Sequence, residues 1–323
     1  MGSGLRTFFG LGLLAVGILA TIGTILGFFG NAWWAFDVLA SFRLQYLVVL
    51  LVVGLLYGFL FGWGAAIVFL AAAAVNAYLL LPLWAGSQPS AASQERIRIV
   101  TLDVSANTNN KPRVIEWLRG VDADLVFLEQ TTDAWVVAIE ETELPYTIIA
   151  APHEDQNFGI IALAKDGALT GETILLGQTG DAIVEVATTL GGNPISLYAV
   201  AAREPNGEAD AERREAVLQA AAEIVKASGG TAAVVGGFNA SLWSSAYLDF
   251  LATAGLEDSS VGFGYQPTWP SQSIPFVDWL FAIPVDGLAR TGSITTTARS
   301  IGPDLDGEHR AVIIEIAPAS TGT

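Results

Sequence analysis

Cysteine is missing from the 323 residues, and histidine occurs only at positions 153 and 309. Without thiols, disulfides and thiolate metal sites are excluded, while the compartment stays open because disulfide-free proteins occur on both sides of a membrane. Charge is almost absent from the first quarter: of 15 Lys and Arg and 32 Asp and Glu, only Arg6, Asp37 and Arg43 precede Glu95. Basic residues are scarce in the remainder, and the acidic excess gives the chain a formal net charge of −17. A polyanion binds by exchanging its counterions for Lys and Arg, so a surface this acidic disfavours nucleic acid as a partner. A solvated acidic surface that keeps the domain soluble accounts for the excess.

What fills the charge-poor quarter is apolar. Residues 7–29, 44–62 and 64–86 are three uncharged runs, each near the roughly 20 residues that cross a bilayer core of about 30 Å. The first run exceeds the apolar stretch of a signal peptide and no small-x-small site closes it, so it is expected to stay as an anchor. Trp33, Trp34, Trp63 and Trp84 fall near the ends of the runs, at the level where indoles prefer the headgroups. Absence of any Asp, Glu, Lys, Arg or His within the spans argues against a transporter, and Asn76 is the one strongly polar side chain, placed for a helix contact. Arg6 before the first span places the N-terminus inside, so three spans put the remainder outside the cytoplasm of a multi-pass plasma (inner) membrane protein. The division expected is a transmembrane region over 1–86, a polar linker over 87–95 (SQPSAASQE), a domain over 96–318 and a short tail over 319–323.

Within that domain, short segments rich in β-branched residues alternate with helical ones. Strands are expected at 97–105, 124–129, 146–151, 158–164, 182–189, 195–202, 232–237, 277–283 and 311–317, the fifth and sixth forming a hairpin across LGGNP. Helices are expected at 211–227 and 241–254, where apolar residues recur at helical spacing. The acidic start at Glu208, Asp210 and Glu212 suits a helix dipole. His153, in the polar stretch PHEDQ, reads as a surface loop residue. The fold class is α/β, two packed mixed sheets flanked by helices in a four-layer α/β/β/α sandwich behind the three-helix membrane region.

Several stretches occur in an order that resembles the endonuclease/exonuclease/phosphatase superfamily, with its deoxyribonuclease-I-like fold. IVTLDVSANT, DLVFLEQT, GGFNAS, VDW and GEH are similar to that family's successive motifs, and the likeness covers about 97–318. It implies a site in which Asn239, Asp278 and His309 are retained. It also implies losses. Gly237 stands where an aspartate activates water, Ala201 and Ala202 where a strand carries a histidine, and Gln130 where a glutamate holds the metal ion. Loss of a general base typically costs about 10²–10⁴-fold in rate. Asp103, Glu129, Gln130 and Glu308 are the candidate ligands for Mg²⁺ or Mn²⁺, held weakly, and Glu129 reaches the site only if a bulge shifts its strand. The resemblance with these losses implies a catalytically impaired hydrolase that serves as an extracytoplasmic binding or scaffolding module. The alternative is an active metal-dependent phosphoesterase with a rebuilt site. Expected partners are the bilayer together with a phospholipid, a lipid-linked phosphate or a protein.

Overall fold

A computed structural model describes residues 3–104, 110–152, 159–177, 180–270 and 281–320 of the chain. Its first region consists of α1 (Ser3–Leu26), α2 (Trp34–Ala40), α3 (Arg43–Phe61), α4 (Trp63–Leu80) and α5 (Pro82–Ala85). Three segments, Gly4–Leu26, Arg43–Phe61 and Trp63–Ala85, are long and apolar enough to cross a membrane. Gly62 alone joins α3 to α4, at φ +112°, a conformation that residues with a Cβ rarely adopt. At that end Arg6 donates from a terminal guanidinium nitrogen to the carbonyl of Leu60 at 2.7 Å. Asn76 donates to Thr24 Oγ1 at 2.8 Å, so the polar residue in the spans ties α4 to α1.

The second region is built from β1 (Ile97–Asp103), α6 (Lys111–Gly120), β2 (Leu125–Thr131), α7 (Asp133–Glu140), β3 (Thr147–Ala150), β4 (Gly159–Ala164), β5 (Gly171–Leu176), β6 (Asp181–Leu190), β7 (Asn193–Ala201), α8 (Glu208–Ser228), β8 (Ala232–Gly237), α9 (Ser245–Ala254), β9 (Glu257–Asp258), β10 (Asp286–Arg290), β11 (Ile294–Ile301) and β12 (Val312–Pro318). One sheet runs β11-β12-β1-β2-β4-β3 and the other β5-β6-β7-β8-β10-β9. Alternating apolar residues of both, among them Phe127, Ile160, Leu197, Val235 and Ile314, interdigitate between the sheets. The outward faces are covered by α8 and α9 on one side, through Val217, Ala221 and Phe250, and by α6 and α7 on the other, through Val114, Leu118 and Trp135. Four layers result, as expected.

The pairing of β1 with β2 and of β7 with β8 is parallel, so Asp103, Glu129, Ala201 and Gly237 all lie at C-terminal strand ends. β7 and β8 come very close there: a Cβ on Gly236 would meet the carbonyl oxygen of Val200 at 2.0 Å, and Gly236 has φ +141°. Of the strand expected at 277–283, residues 277–280 lie outside the described residues, and Ile283 forms only an isolated bridge with Trp269. The strand that continues the second sheet is β10, further along the chain.

The sandwich sits directly on the apolar helices. Asp37 of α2 is buried, and its Oδ2 accepts from Arg214 of α8 at 2.7 Å and from Ser244 Oγ at 2.7 Å, while Oδ1 accepts from the Ser245 amide at 2.5 Å. A carboxylate thus lies at the N-terminus of α9, where the helix dipole favours negative charge. Trp243 donates to the Leu79 carbonyl at 3.1 Å, Ser41 bonds Ser241 at 3.0 Å, and Ala40, Leu80, Leu83 and Trp243 form a shared apolar cluster. The polar segment after α5 lies along the domain: Gln88 donates to the Val261 carbonyl, and Ala92 donates to that of Pro318.

Candidate active site

The site begins with strand ends that turn polar. β1 alternates so that Ile97 and Ile99 enter the inter-sheet core, and two and four residues later Thr101 and Asp103 occupy the same face. On the neighbouring β2 the pairing with β4 shifts between Glu129 and Thr131, and Gln130 has φ +54°. Glu129 shares the parity of Leu125 and Phe127 and so faces the site without any shift, contrary to expectation; the bulge follows it and turns Gln130 to the same side. As a result two consecutive side chains meet β1: Glu129 Oε1 accepts from Thr101 Oγ1 at 2.6 Å, and Gln130 donates from Nε2 to Asp103 Oδ2 at 2.6 Å.

His309 is fully buried, and its Nδ1 lies 2.8 Å from Asp286 Oδ2. On its other side Nε2 lies 3.9 Å from Glu204 Oε1, an ion-pair distance too long for a hydrogen bond. Asp286 is the first residue of β10 and faces Gly237 across the antiparallel pair. Asp278, the other retained carboxylate expected at the site, lies outside the described residues; a carboxylate at the imidazole is Asp286, which follows valine just as Asp278 does. Glu204 and Asp286 are the site residues that sequence reasoning missed, and the repeated Val-Asp at 285–286 was the available signal.

Gly237 leaves a gap. A Cβ there would stand 3.3 Å from Asp286 Oδ1 and 3.5 Å from Asp103 Oδ2, so an aspartate side chain would project among carboxylates already present. Ala201 pairs with Gly237 and is buried in the inter-sheet core, while Ala202 is buried under α8, so neither offers a side-chain donor. Asn239, at φ +47°, donates from Nδ2 to the Ala202 carbonyl at 2.8 Å, and its own carbonyl accepts from Arg214 at 3.1 Å. Glu308 is exposed although His309 beside it is buried, so it stands apart from the cluster.

Electrostatics follow from burial. Desolvation pushes the Glu129 carboxyl well above its usual range; the Thr101 hydrogen bond offsets part of this, and Asp103 and Asp286 add to it. Burial by itself would pull His309 down, but Asp286, Asp103 and Glu204 outweigh it and hold the ring well above an ordinary histidine. His309 in turn keeps the Glu204 carboxyl low, against the effect of burial.

A divalent cation of the kind this fold implies needs several hard, charged oxygens. Gly237 supplies none, Gln130 is neutral and directs an amide N–H onto Asp103 Oδ2, and burial pushes the Glu129 carboxyl well above its usual range while Oε1 accepts from Thr101. Among the described residues no three His, Asp or Glu side chains converge at ligand spacing. The donor set among the described residues does not fit Mg²⁺ or Mn²⁺.

Two packed mixed sheets between helical layers, with a polar centre at the strand ends, define the deoxyribonuclease-I-like class. Residues 104–306 match the Endonuclease/Exonuclease/phosphatase family, and the chain belongs to it. Among solved structures it is similar to a functionally unknown conserved protein from Enterococcus faecalis, at 14% identity and TM-score 0.55 over 69% of this chain and 100% of the other. TDP2 from D. rerio complexed with single-strand DNA product is similar at 13% identity and TM-score 0.54, over 68% and 98% of the two chains. The 3′ phosphatase NExo from Neisseria, bound to a product DNA hairpin, is similar at 12% and 0.53, again over 68% and 98%. At such identities the likeness concerns the fold. Among curated proteins none matches the chain.

Proposed function

We propose that this chain is a membrane-seated member of the family that has lost efficient phosphoester hydrolysis and serves as an extracytoplasmic binding module. The observation that carries the reading is the gap at Gly237. The group that would take a proton from water is missing, and the nearest acids are committed elsewhere, Asp286 Oδ2 to His309 and Asp103 Oδ2 to Gln130. Three apolar helices and a sandwich packed against their ends support the membrane seat, and Arg6 before the first span supports the orientation.

A rebuilt hydrolase is the competing reading, and one observation favours it: Asp286 Oδ1 is buried, near the gap, and without a hydrogen-bond partner among the described residues. The two readings separate in one experiment on the full chain in a neutral detergent. With Mg²⁺ or Mn²⁺ up to about 10 mM, beyond the range of weak biological cation sites, no saturable metal uptake and no cleavage of bis(p-nitrophenyl) phosphate are expected. Cleavage that requires the metal and vanishes in His309→Ala would overturn the inactive reading. Gly237→Asp combined with Gln130→Glu should restore metal uptake.

A further inference from the structure

A groove enclosing about 580 Å³ runs between the outer helices of the sandwich and the turn that joins α1 to α2. Glu208, Glu212 and Glu215 of α8 and Asp249 of α9 line one wall, and Trp33 and Trp34 line the other. The family match begins at residue 104, so the indole wall lies outside it, and the groove shares no lining residue with the strand-end cluster.

The helix dipole does not account for all of this acidity. Its influence fades beyond the first turn, whereas Glu215 is the eighth residue of α8 and Asp249 the fifth of α9. Like charges three and four residues apart destabilise a helix, and Glu208, Glu212 and Glu215 are spaced in that way. The arginines of the same stretch turn aside: Arg213 pairs with Asp181 at 2.8 Å, and Arg214 reaches Asp37 at 2.7 Å and stays 3.9 Å from Glu215. Among the described residues no Lys or Arg lines the groove. Burial raises the Glu215 carboxyl; Arg214 opposes this, and Asp37, Asp249 and Glu212 add to it, so the wall presents a field of one sign.

Opposite the acids, Trp33 is 51% exposed although Trp34 and Phe36 brace it edge-on, with ring centroids at 6.0 and 5.1 Å. A half-open indole held in place across from carboxylates suits a guanidinium, which stacks on the ring and bonds a carboxylate through its planar fork. An ammonium has neither the plane nor the fork. A second copy of this acidic chain, or an anionic headgroup, would be repelled.

From this complementarity of charge and shape we propose that the groove is a docking surface for an arginine-bearing peptide segment of a partner protein. It lies apart from the strand ends, so its occupancy does not depend on whether they hydrolyse a phosphoester. The full chain in a neutral detergent tests the docking, with fluorescein-labelled tetra-arginine and tetra-lysine as probes and anisotropy as the readout. Tetra-arginine should bind more tightly than tetra-lysine by about two- to fivefold, the worth of an exposed cation–π contact, and Trp33→Ala should remove that margin. Glu212→Gln combined with Glu215→Gln should weaken tetra-arginine by about fivefold. The same change of charge through Glu140→Gln with Glu141→Gln, at the exposed end of α7 on the opposite layer, should weaken it by less than about twofold. Unchanged melting confirms that each variant is folded. Equal losses from the two pairs, a margin that survives Trp33→Ala, or no saturable binding up to about 1 mM probe overturns the inference. Displacement of tetra-arginine by an equal concentration of spermidine would make the groove a site for small amines and overturns it as well.

Discussion

Two polar centres, one at the seam between apolar helices and sandwich and one at the strand ends, treat buried charge in opposite ways. At the seam both oxygens of Asp37 are engaged, by a guanidinium, a hydroxyl and a backbone amide. At the strand ends Glu129 Oε2, Asp286 Oδ1 and His309 Nε2 are buried with no hydrogen-bond partner among the described residues. A buried charge that is fully hydrogen-bonded fixes a geometry, whereas a partly satisfied cluster stores unfavourable electrostatics unless a ligand completes it. The seam is built to hold position. The strand ends hold buried charge that is only partly satisfied.

That contrast can be broken most forcefully at Asp37. Asp37→Ala leaves Arg214 charged and dry, and removing one member of a buried pair costs about 3–5 kcal/mol. Melting of the detergent-solubilised chain should register the loss, and replacing Arg214 by Leu as well should recover much of it. A single change within about 0.5 kcal/mol of the parent would mean that the seam carries no such pair.

A smaller effect is expected at Glu129, and it depends on pH. Its folded carboxyl titrates above its unfolded value, so its contribution is complete below about pH 4.3 and is lost as pH rises through the folded pKa. His309 acts in the same direction, starting from about pH 6.5. Glu129→Gln cannot ionise. In EDTA it should match the parent near pH 4 and exceed it by about 1 kcal/mol or more at pH 8, a rise in Tm of roughly 2–4 °C or more. A difference that stays constant across this range would show that Glu129 is ionised in the folded protein. The smallest effect belongs to Glu308, which is exposed: Glu308→Gln should leave stability within about 0.5 kcal/mol of the parent in the same melting experiment.

Legibility in the sequence divides along physical lines. The spans could be read because nothing interrupts their apolarity, and the hairpin of β6 and β7 because Gly191 and Gly192 mark its turn. β11 (ITTTARSI) was missed because its β-branched residues are threonines, whose hydroxyls hide the apolar pattern, although Thr295 and Thr296 are buried. β10 (DGLAR) was missed because Asp286 and Arg290, both buried, look like surface residues in one dimension. At the site, Gly237, Ala201 and Ala202 stood out as losses only through the family resemblance. Asp286 did not, because Val-Asp occurs twice within a few residues and only the folded chain shows that Asp286 meets His309. Asp37 was a lone charge in an apolar stretch, and its partner lies 177 residues away.

That separation has a consequence in time. A ribosome adding about 5–20 residues per second needs roughly 10–35 s to travel from Asp37 to Arg214. For that interval the young chain has its apolar helices and the Asp37 carboxylate of α2 with nothing above them. Seating the sandwich on those helices is therefore a late event in biogenesis.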